Sequence, residues 1–416
     1  MKVLVVGGGG REHAICHALS KSAKVDKIWC APGNGGIASI AECVDITATD
    51  IEKMVAFAKE NKPDLVMVAP DDPLALGMVD ALEDAGIRAF GPHKNAAIIE
   101  GSKSFAKDLM HKYNIPTANY AVFEDSAKAI EYIKEQGAPI VVKADGLALG
   151  KGVTVAMTEQ DAINAVKDAM DGGAFGSAGA RVVIEEFLTG PEVSVLAFTD
   201  GKTIKTMPSA QDHKRAYDHD KGPNTGGMGA FSPSRMYTDE IAKTCMDTIF
   251  RPTIDAMAKE GRTFKGVIYF GLMLTPKGPK VIEYNARFGD PETQAVLSRL
   301  ETDIFDIFNA VIDGTLADID IKWSDNAACC VCMASGGYPA KYEKGKVITG
   351  LDDVTDSIVY HAGTKLSDGA MVTNGGRVLG VTANAKTLDE AIKKAYADVK
   401  KIHFDGVHFR TDIGVK

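Results

Sequence analysis

The first hundred residues alternate short apolar runs with helix-like stretches, and this alternation limits the possible folds more than any other feature of the chain. The apolar runs are "KVLVV", "KIWCA" and "DLVMVA", and helical stretches are predicted from about residue 11, near 51–61 and near 74–85. Strands that alternate with helices predict a parallel sheet covered by helices. We therefore expect an N-terminal α/β domain over residues 1–101.

The remainder of the chain changes character twice. Pro116 marks a break, and the pattern to about Phe288 is strand-rich with a few helices, which is typical of an α+β unit. From Ala327 onward, short strands and one late helix near 388–401 indicate a small third unit. We place the middle domain at 102–295, with a smaller lobe at about 117–190. The linker helix and last domain occupy 296–416, with a core at about 327–416.

Charge and length exclude several classes of protein. The chain has 416 residues and a net charge of -9, without a dense run of lysine or arginine, which argues against nucleic acid as the main partner. The N-terminus "MKVLVVGGGG" has no charged leader, and the chain has no long hydrophobic span. We expect a cytosolic protein that binds small molecules, contacts no membrane, and is a monomer or weak homodimer.

The cysteines are read as reduced thiols. There are seven, scattered along the chain, as expected inside a cell. Cys329 and Cys332 form a CxxC in "ACCVCM". On a strand, residues three apart point to opposite faces and chelate one metal poorly, so packing is the favoured interpretation.

The turn "VVGGGGREH" follows the first strand and opens a helix, so its amides are placed to hold an anion. A dinucleotide site is the obvious alternative, and a tight turn without a ligand is another. The dinucleotide fingerprint also requires an acidic residue at the end of the second strand. Here that strand runs into "APGNGG", which offers no carboxylate. The nicotinamide hypothesis is therefore disfavoured.

The segment "KADGLALGKGV" sets two lysines among glycines between two predicted strands, "APIVVKA" and "VTVAM". It does not match the Walker pattern, because Val153 stands where a hydroxyl is needed for Mg²⁺. A glycine-rich hairpin can close on phosphates with its amides. Lys143 would then be a fixed cation and Lys151 a mobile one; a solvated surface turn remains the alternative.

Two further stretches carry acids at strand ends. In "VVIEEFLTGPEVSV", Glu185 and Glu192 are placed to accept from a purine amine and a ribose, with Phe187 or Leu188 as an apolar floor; solvated strand ends are the alternative. In "KVIEYNARFGDPETQ", Glu283, Asn285 and Arg287 follow one another at a spacing of two residues on a predicted strand. These residues would share one face and suit Mg²⁺ with phosphates; a buried ion pair is the alternative.

Taken in order, these segments resemble a known family. "VLVVGGGGREHA", "KADGLALGKGV", "EEFLTGPEVS", "QDHKRAYDHDKGPNTGGMGAFSP" and "EYNARFGDPETQ" are similar to the glycinamide ribonucleotide synthetase family, over essentially the whole chain. "RFGDPE" and "GPNTGGMGA" are the most specific parts. The resemblance implies a pre-ATP-grasp N-terminal domain with a parallel sheet, a two-lobed ATP-grasp domain and a small C-terminal domain. It also implies an ATP-dependent ligase of purine biosynthesis that joins glycine to 5-phosphoribosylamine and uses Mg²⁺ or Mn²⁺.

The same resemblance assigns roles to individual residues. Contacts to ATP fall on Lys107, Lys143, Ala148, Leu149, Gly150, Lys151, Gly152, Val153, Glu185, Glu186, Phe187, Leu188 and Glu192. It implies that the metal is bound by Glu283 and Asn285, and that catalytic roles belong to Arg287, Asp290 and Lys151. The other substrates fall on Gly9, Arg11, Glu12, Asp71, Asp212, Lys214, Asn224, Thr225, Gly226, Gly227, Lys365 and Arg377.

Two departures from the family pattern bear on the site. Asp71, in "APDDPL", stands where the family usually has a longer glutamate, and "IYFGLML" offers no third metal carboxylate. The metal would then rely on phosphate oxygens and water. The open alternatives are another ATP-grasp ligase, such as a purine-pathway carboxylase or a D-alanine ligase type, and a nucleotide-sensing module without turnover. The first is disfavoured by "GPNTGGMGA" and "RFGDPE", and the second would show no amine-dependent hydrolysis.

Overall fold

The computed structural model describes residues 1–147, 152–173 and 175–415. Strands β1 to β5 of the N-terminal unit form one parallel sheet in the order β3-β2-β1-β4-β5. The predicted parallel α/β sheet is confirmed. Its elements are β1 (Lys2–Gly7), α1 (Gly10–Ser20), β2 (Lys27–Pro32), β3 (Glu42–Cys43), α2 (Ile51–Asn61), β4 (Leu65–Val68), α3 (Asp71–Leu76), α4 (Met78–Asp84), β5 (Ala89–Phe90) and α5 (Lys94–Gly101).

The smaller lobe of the middle region is an antiparallel sheet with helices on one face. Its strands have the order β6-β9-β7-β8, and α7 and α8 bury a cluster that includes Ile133, Val142 and Val166 against it. The alternation of buried and exposed residues on these helices follows from their helical apolar spacing. The elements are α6 (Lys103–Lys112), β6 (Tyr120–Phe123), α7 (Ser126–Gln136), β7 (Ile140–Ala144), β8 (Val153–Ala156), α8 (Glu159–Met170) and β9 (Val182–Glu186).

The larger lobe is built on a second antiparallel sheet with the order β11-β10-β16-β17. The long hairpin of β16 and β17 contains a bulge opposite Gly271 and Leu272. The elements of this region are β10 (Glu192–Thr199), β11 (Ile204–Thr206), β12 (Gln211–Asp212), β13 (Arg215–Tyr217), β14 (Lys221–Asn224), β15 (Gly229–Ser232), α9 (Asp239–Cys245), a π-helical turn (Met246–Phe250), α10 (Arg251–Lys259), β16 (Gly266–Thr275), β17 (Gly278–Asn285) and α11 (Glu292–Leu297).

The sheet of the C-terminal region has the order β12-β15-β18-β22-β19. Two of its strands, β12 and β15, therefore come from the middle of the chain, so residues 327–416 alone do not build it. The predicted domain boundaries stay a prediction. The elements are α12 (Ile304–Asp313), β18 (Ala327–Ala334), β19 (Ser357–His361), β20 (Thr364–Ser367), β21 (Ala370–Thr373), β22 (Arg377–Ala385) and α13 (Leu388–Val399).

Strand β18 is buried along its whole length, and it contains Cys329, Cys330 and Cys332 as free thiols. Cys329 and Cys330 belong to hydrophobic clusters and Cys332 is buried as well, in agreement with the packing interpretation. Within the part of the chain that the structure describes, no helix combines the length and the apolar character needed to cross a bilayer.

A pair of buried histidines joins the N-terminal unit to the C-terminal sheet. Nδ1 of His13, on α1, accepts from the amide of His361 at 2.8 Å, so the neutral ring carries its proton on Nε2. His361 in turn lies 3.1 Å from Oγ1 of Thr364. Burial lowers the pKa of His13 to about 3, assisted by the charges of His361 and His17, and burial lowers the pKa of His361 to about 4.

These shifts predict a loss of stability in mild acid. Because the folded pKa values lie below the unfolded value near 6.5, the stabilisation is complete above pH 6.5 and is lost as pH falls. Each histidine should cost about 2 kcal/mol by pH 5. We expect His13→Asn, whose Oδ1 can still accept from His361, to flatten the fall in melting temperature between pH 7 and pH 5. Equal slopes for the variant and the parent protein would contradict this.

Candidate active site

Contacts made by predicted site residues join the two lobes, the N-terminal unit and the C-terminal region. Lys143 ends β7 in the smaller lobe, and its Nζ donates to the carbonyl oxygen of Ile282 on β17 at 2.8 Å. The cation that was predicted for phosphates therefore lies beside Glu283, which was predicted for the metal. A phosphate chain bound here would meet a cation from one lobe and oxygen donors from the other.

Two buried lysines share one carboxylate at this junction. Nζ of Lys107 lies 2.8 Å from Oε2 of Glu185, and Nζ of Lys143 lies 2.9 Å from Oε1. Lys107 also donates to Oγ1 of Thr117 at 2.8 Å. Burial lowers the pKa of Lys107 to about 8, although Glu185 opposes this shift. Two cations against one anion leave an excess positive charge, which suits a polyphosphate ligand.

Glu185 is predicted to face an adenine amine, and in the structure it is the counterion of these two lysines. Burial alone would raise the pKa of Glu185, but Lys143 and Lys107 lower it. The amide of Glu186 donates to the carbonyl oxygen of Asn119 at 2.9 Å. Phe187 and Leu188 follow β9 and are half-buried. The adenine role of this segment stays a prediction.

The glycine-rich loop is described only at its ends. Ala148, Leu149, Gly150 and Lys151, all predicted to contact ATP, lie outside the described residues. The carbonyl oxygen of Gly152 accepts from the amide of Ala144 at 2.8 Å, and Val153 pairs with Lys143 in the sheet. The predicted hairpin between β7 and β8 is therefore present at its base.

Lys214 lies between two predicted ligand carboxylates. Its Nζ is 3.2 Å from Oε2 of Glu192 and 3.2 Å from Oε1 of Glu283. The charge of Lys214 is the main reason that the pKa of Glu283 falls to about 2. Burial raises the pKa of the neighbouring Asp212 to about 8, with Lys214 opposing and Glu292 adding to the rise. The site therefore holds one firmly ionised acid beside one that readily accepts a proton.

The oxygen donors fit a divalent cation that is held together with phosphates. Glu283 and Asn285 offer one carboxylate and one amide oxygen from β17. Among residues 1–147, 152–173 and 175–415, no cluster of three or more His, Cys, Asp or Glu side chains is arranged for a metal. Mg²⁺ is often bound by one or two carboxylates plus substrate phosphates and water, so this sparse set is sufficient.

Arg287 lies beyond the end of β17 rather than on the strand as the spacing predicted, yet it still reaches the strand. Its NH2 donates to Oδ1 of Asn285 at 3.2 Å and lies 2.9 Å from Oε1 of Glu100. Asp71, which is predicted to contact the sugar or amine of the substrate, lies farther away, with its Oδ2 4.0 Å from the same nitrogen. Oε2 of Glu100 accepts from the amide of Ala286 at 2.7 Å. Glu100 therefore fixes both the guanidinium and the backbone next to it.

Sequence reasoning missed Glu100, and only one weak signal pointed to it. Glu100 ends the apolar helical stretch "NAAIIEG", where an acid has no obvious surface role. Burial raises the pKa of Glu100, and the charge of Arg287 opposes the rise. The buried carboxyl therefore depends on Arg287 as its counterion.

A second group of charges joins the N-terminal turn to the loop after β17. Nε of Arg11 lies 2.7 Å from Oε1 of Glu12, and NH1 of Arg11 donates to the carbonyl oxygen of Phe288 at 3.0 Å. The amide of Gly9 donates to Oε2 of Glu12 at 2.6 Å. The amide of Arg11 points to Oδ2 of Asp290 at 3.4 Å. The glycine turn therefore presents an acid and a cation towards Asp290.

Asp290 is also held from the C-terminal region. NH1 of Arg377 lies 3.3 Å from Oδ1 of Asp290 and donates to its carbonyl oxygen at 2.7 Å. Gln294 donates to Oδ1 at 2.8 Å. Burial alone would raise the pKa of Asp290, but Arg377 and Arg11 lower it below its ordinary value. This acid is therefore ionised at neutral pH.

The segment Asn224–Gly227 closes the site near Arg377. The guanidinium of Arg377 donates to the carbonyl oxygen of Gly226 at 2.8 Å, and the amide of Gly226 donates to Oη of Tyr338 at 3.0 Å. The hydroxyl of Thr225 accepts from the amide of Gly227 at 3.0 Å. Lys365, by contrast, is exposed on β20, where the neighbouring Thr364 accepts from the amide of Gly35.

The structure also places a hydrogen-bonded group behind the site that the sequence did not suggest. Oη of Tyr269 donates to Oε1 of Glu292 at 3.0 Å and lies 2.8 Å from Oγ of Ser194. Glu292 is buried, at 4% exposure. It belongs to "RFGDPE", so the motif itself is the signal that could have identified it.

Comparisons with known proteins agree along the whole chain. Three family models match: "Phosphoribosylglycinamide synthetase, N domain" over residues 1–100, its "ATP-grasp (A) domain" over 101–293 and its "C domain" over 328–416. A phosphoribosylamine–glycine ligase of Halalkalibacterium halodurans is 50% identical over 417 residues, which cover 100% of this chain and 97% of the relative. One of Caldanaerobacter subterraneus is 49% identical over 413 residues, with 99% of each covered.

Solved structures extend the similarity to the fold. The crystal structure of a phosphoribosylamine–glycine ligase from Thermotoga maritima matches with a TM-score of 0.89 and 33% identity, covering 100% of both chains. A biotin carboxylase from Campylobacter jejuni matches with a TM-score of 0.75 but only 14% identity, covering 98% of this chain and 92% of that one. The second match supports the fold alone.

Proposed function

The chain belongs to the phosphoribosylglycinamide synthetase family, and on that premise we propose that it joins glycine to 5-phosphoribosylamine at the expense of ATP. The products are glycinamide ribonucleotide, ADP and phosphate, and the reaction belongs to purine biosynthesis in the cytoplasm. The observation that supports the proposal best is the contact of Lys143 with Ile282, because it brings the cation that we assign to the phosphates next to Glu283, which we assign to the metal.

The chemistry requires that glycine be activated first. Its carboxylate repels an amine, and oxide is a poor leaving group. Transfer of the γ-phosphoryl group of ATP to a carboxylate oxygen gives glycyl phosphate and ADP. The lone pair of the phosphoribosylamine nitrogen then attacks the carbonyl carbon, the C–O bond to phosphate breaks, and the nitrogen loses a proton. Phosphate leaves and the amide remains.

The protein contributes mainly position and charge to these steps. Lys107 and Lys143 hold the phosphates of ATP, while Glu283 and Asn285 hold Mg²⁺ or Mn²⁺. The metal, when bound, neutralises charge on the terminal phosphates. Arg287 donates to the phosphoryl oxygens during transfer. Orientation of three reactants in one cleft is worth at best about 7 to 11 kcal/mol, more than a single base supplies.

The two amino substrates are held by opposite ends of the charge network. We assign Asp212 and Lys214 to the ammonium and carboxylate of glycine, because the ammonium would favour the ionised form of the Asp212 carboxyl and Lys214 offers a cation beside it. Asp290, which is ionised, accepts from the reacting amine of phosphoribosylamine. Gly9, Arg11, Glu12 and Asp71 contact its sugar from the N-terminal unit. Asn224 to Gly227 border the same space, and Lys365 and Arg377 hold its 5-phosphate.

Isotope transfer tests the proposed reaction. Glycine labelled with ¹⁸O in its carboxylate is incubated with ATP, phosphoribosylamine and either Mg²⁺ or Mn²⁺, and the released phosphate is examined by mass spectrometry. One ¹⁸O atom should appear in each phosphate. Unlabelled phosphate with product formed would contradict the acyl phosphate, and ATP binding without ADP release would support a nucleotide-sensing module instead.

A further inference from the structure

The hairpin that carries Lys214 is weakly supported by its own sheet. We call residues 214–225, which contain β13 and β14, the site hairpin. These two strands form a two-stranded sheet of their own, and the turn between them places His219 and Asp220 in left-handed conformations, with φ of 60° and 54°. An isolated two-stranded ribbon is marginally stable in water. Its orientation must therefore be set by contacts from other parts of the chain.

The inner end of the site hairpin determines the position of active-site groups. The amide and hydroxyl of Thr225 both donate to the carbonyl oxygen of Lys214, at 2.7 and 2.8 Å. These bonds close the base of the hairpin at Lys214 itself, whose ammonium lies between Glu192 and Glu283. A tilt of the hairpin would therefore displace the ammonium of Lys214.

Arg410, near the C-terminus, contacts the site hairpin both at Arg215, next to Lys214, and at Asp220 in the turn. Its side chain is fully buried, at 0% exposure. NH1 donates to the carbonyl oxygen of Arg215 at 3.1 Å and lies 3.0 Å from Oδ1 of Asp220. Nε and NH2 bind the two carboxylate oxygens of Asp412 at 2.7 and 2.8 Å. Oδ2 of Asp412 then accepts from the amide of His219 at 2.9 Å.

Two neighbours of Arg410 complete the contact. The amide of Thr411 donates to Oδ1 of Asp218 at 2.8 Å. Nε2 of His408 donates to the carbonyl oxygen of Ala216 at 2.8 Å, and its ring lies edge-on to that of Tyr217, with centroids 5.4 Å apart. Residues 408–412, which we call the tail segment, therefore contact each residue of the hairpin from 215 to 220.

We propose that the tail segment is a positioning device for the active site, in which Arg410 and Asp412 hold the outer end of the site hairpin and so place Lys214. The inference rests on the proposed function for the role of Lys214 towards glycine. The bonds of the guanidinium and carboxylate go to backbone atoms and to the turn of the hairpin. A bidentate arginine–carboxylate pair fixes direction as well as distance, which a single ammonium does not.

The test separates positioning from general stability. Arg410→Gln is compared with the parent protein by hydrogen exchange of the hairpin amides and by steady-state kinetics. We expect exchange in residues 215–221 to accelerate at least about tenfold. The KM for glycine should rise about tenfold, while the KM for ATP stays within about twofold, because a small displacement near the reacting groups is costly.

A matched control lies in the same region of the fold. Asp398 is a buried carboxylate, 1% exposed, and its Oδ1 lies 2.8 Å from Nζ of Lys401. This pair does not contact the site hairpin. Asp398→Asn should lower the melting temperature and leave hairpin exchange and the glycine KM unchanged. If Arg410→Gln fails to fold, the double variant Asp218→Asn with Asp220→Asn weakens the contact between tail segment and hairpin from the hairpin side, because Asp220 pairs with Arg410 and Asp218 accepts from the amide of Thr411.

Two results would overturn the proposal: hairpin exchange that does not change when these bonds are removed, or a control variant with the same shift in glycine KM. The proposed function fails separately. A parent protein that releases no ADP with glycine and phosphoribosylamine contradicts that function, and hydrogen exchange then decides whether the tail segment holds the hairpin.

Discussion

Replacing Glu283 with glutamine should lower kcat on the order of 10³-fold, because the variant loses the carboxylate that we assign to the metal. Glutamine has the same size and still offers an oxygen, so the cleft keeps its shape. Its neutral oxygen is a much weaker partner for a divalent cation. Lys214 would keep Glu192 as a partner at 3.2 Å, so the fold should survive.

The measurement is ADP release at saturating glycine and phosphoribosylamine, titrated with Mg²⁺ and then with Mn²⁺. The half-saturating metal concentration should rise together with the loss of kcat. Glu260→Gln is the matched control, since this acid lies in the same lobe and pairs with Lys112 at 2.6 Å on the surface. Near-normal turnover of Glu283→Gln with an unchanged metal requirement would remove Glu283 from the site.

Local sequence patterns were sufficient for the fold class of the N-terminal unit. The buried runs of β1, β2 and β4 are continuous because a parallel sheet is covered on both faces, and that signature is visible in a short window. The strand partners of β18 are a different matter. Ala328 pairs with Ser232, and the chain between them forms other elements, so no local periodicity encodes that pairing.

The site shows the same division between local and distant information. Glu283, Asn285 and Arg287 could be singled out from the sequence because they lie within one short motif on or next to one strand. Glu100 was missed because its contact, the amide of Ala286, is 186 residues away in sequence. The sequence around a carboxylate at the end of an apolar helix does not indicate which distant residue it will contact.

The lysines of the cleft illustrate why a residue's role is harder to predict than its presence. The sequence singled out Lys107, Lys143 and Glu185 as ATP contacts, but it gave no sign that the three side chains contact one another. In the structure they form one ion cluster, because burying any of these charges alone would cost more than sharing. Such sharing depends on three elements meeting in space, and only the tertiary structure contains that information.

Replacing Arg287 with lysine should lower kcat by about 10² to 10³-fold, although the positive charge is retained. The guanidinium reaches Glu100 at 2.9 Å and Asn285 at 3.2 Å through NH2, while NH1 donates to the carbonyl oxygen of Phe288 at 3.4 Å. Its Nε has no hydrogen-bond partner among the described residues, so a donor is left for a phosphoryl oxygen. An ammonium is a point charge on a flexible stem, so it cannot hold Glu100 and direct further bonds to a ligand. The loss should appear in kcat, with the KM for ATP changing little.

Glu100→Gln tests the same geometry from its other side. If Glu100 acts by orienting Arg287, this variant should lose part of the activity that Arg287→Lys loses, and the double variant should be no worse than Arg287→Lys alone. Arg299→Lys is the control, because Arg299 is also buried, at 6% exposure, and bonds to Ser232 outside the cleft. It should lower the melting temperature without lowering kcat. Independent, additive losses from Glu100→Gln and Arg287→Lys would show that the acid does not act through the arginine.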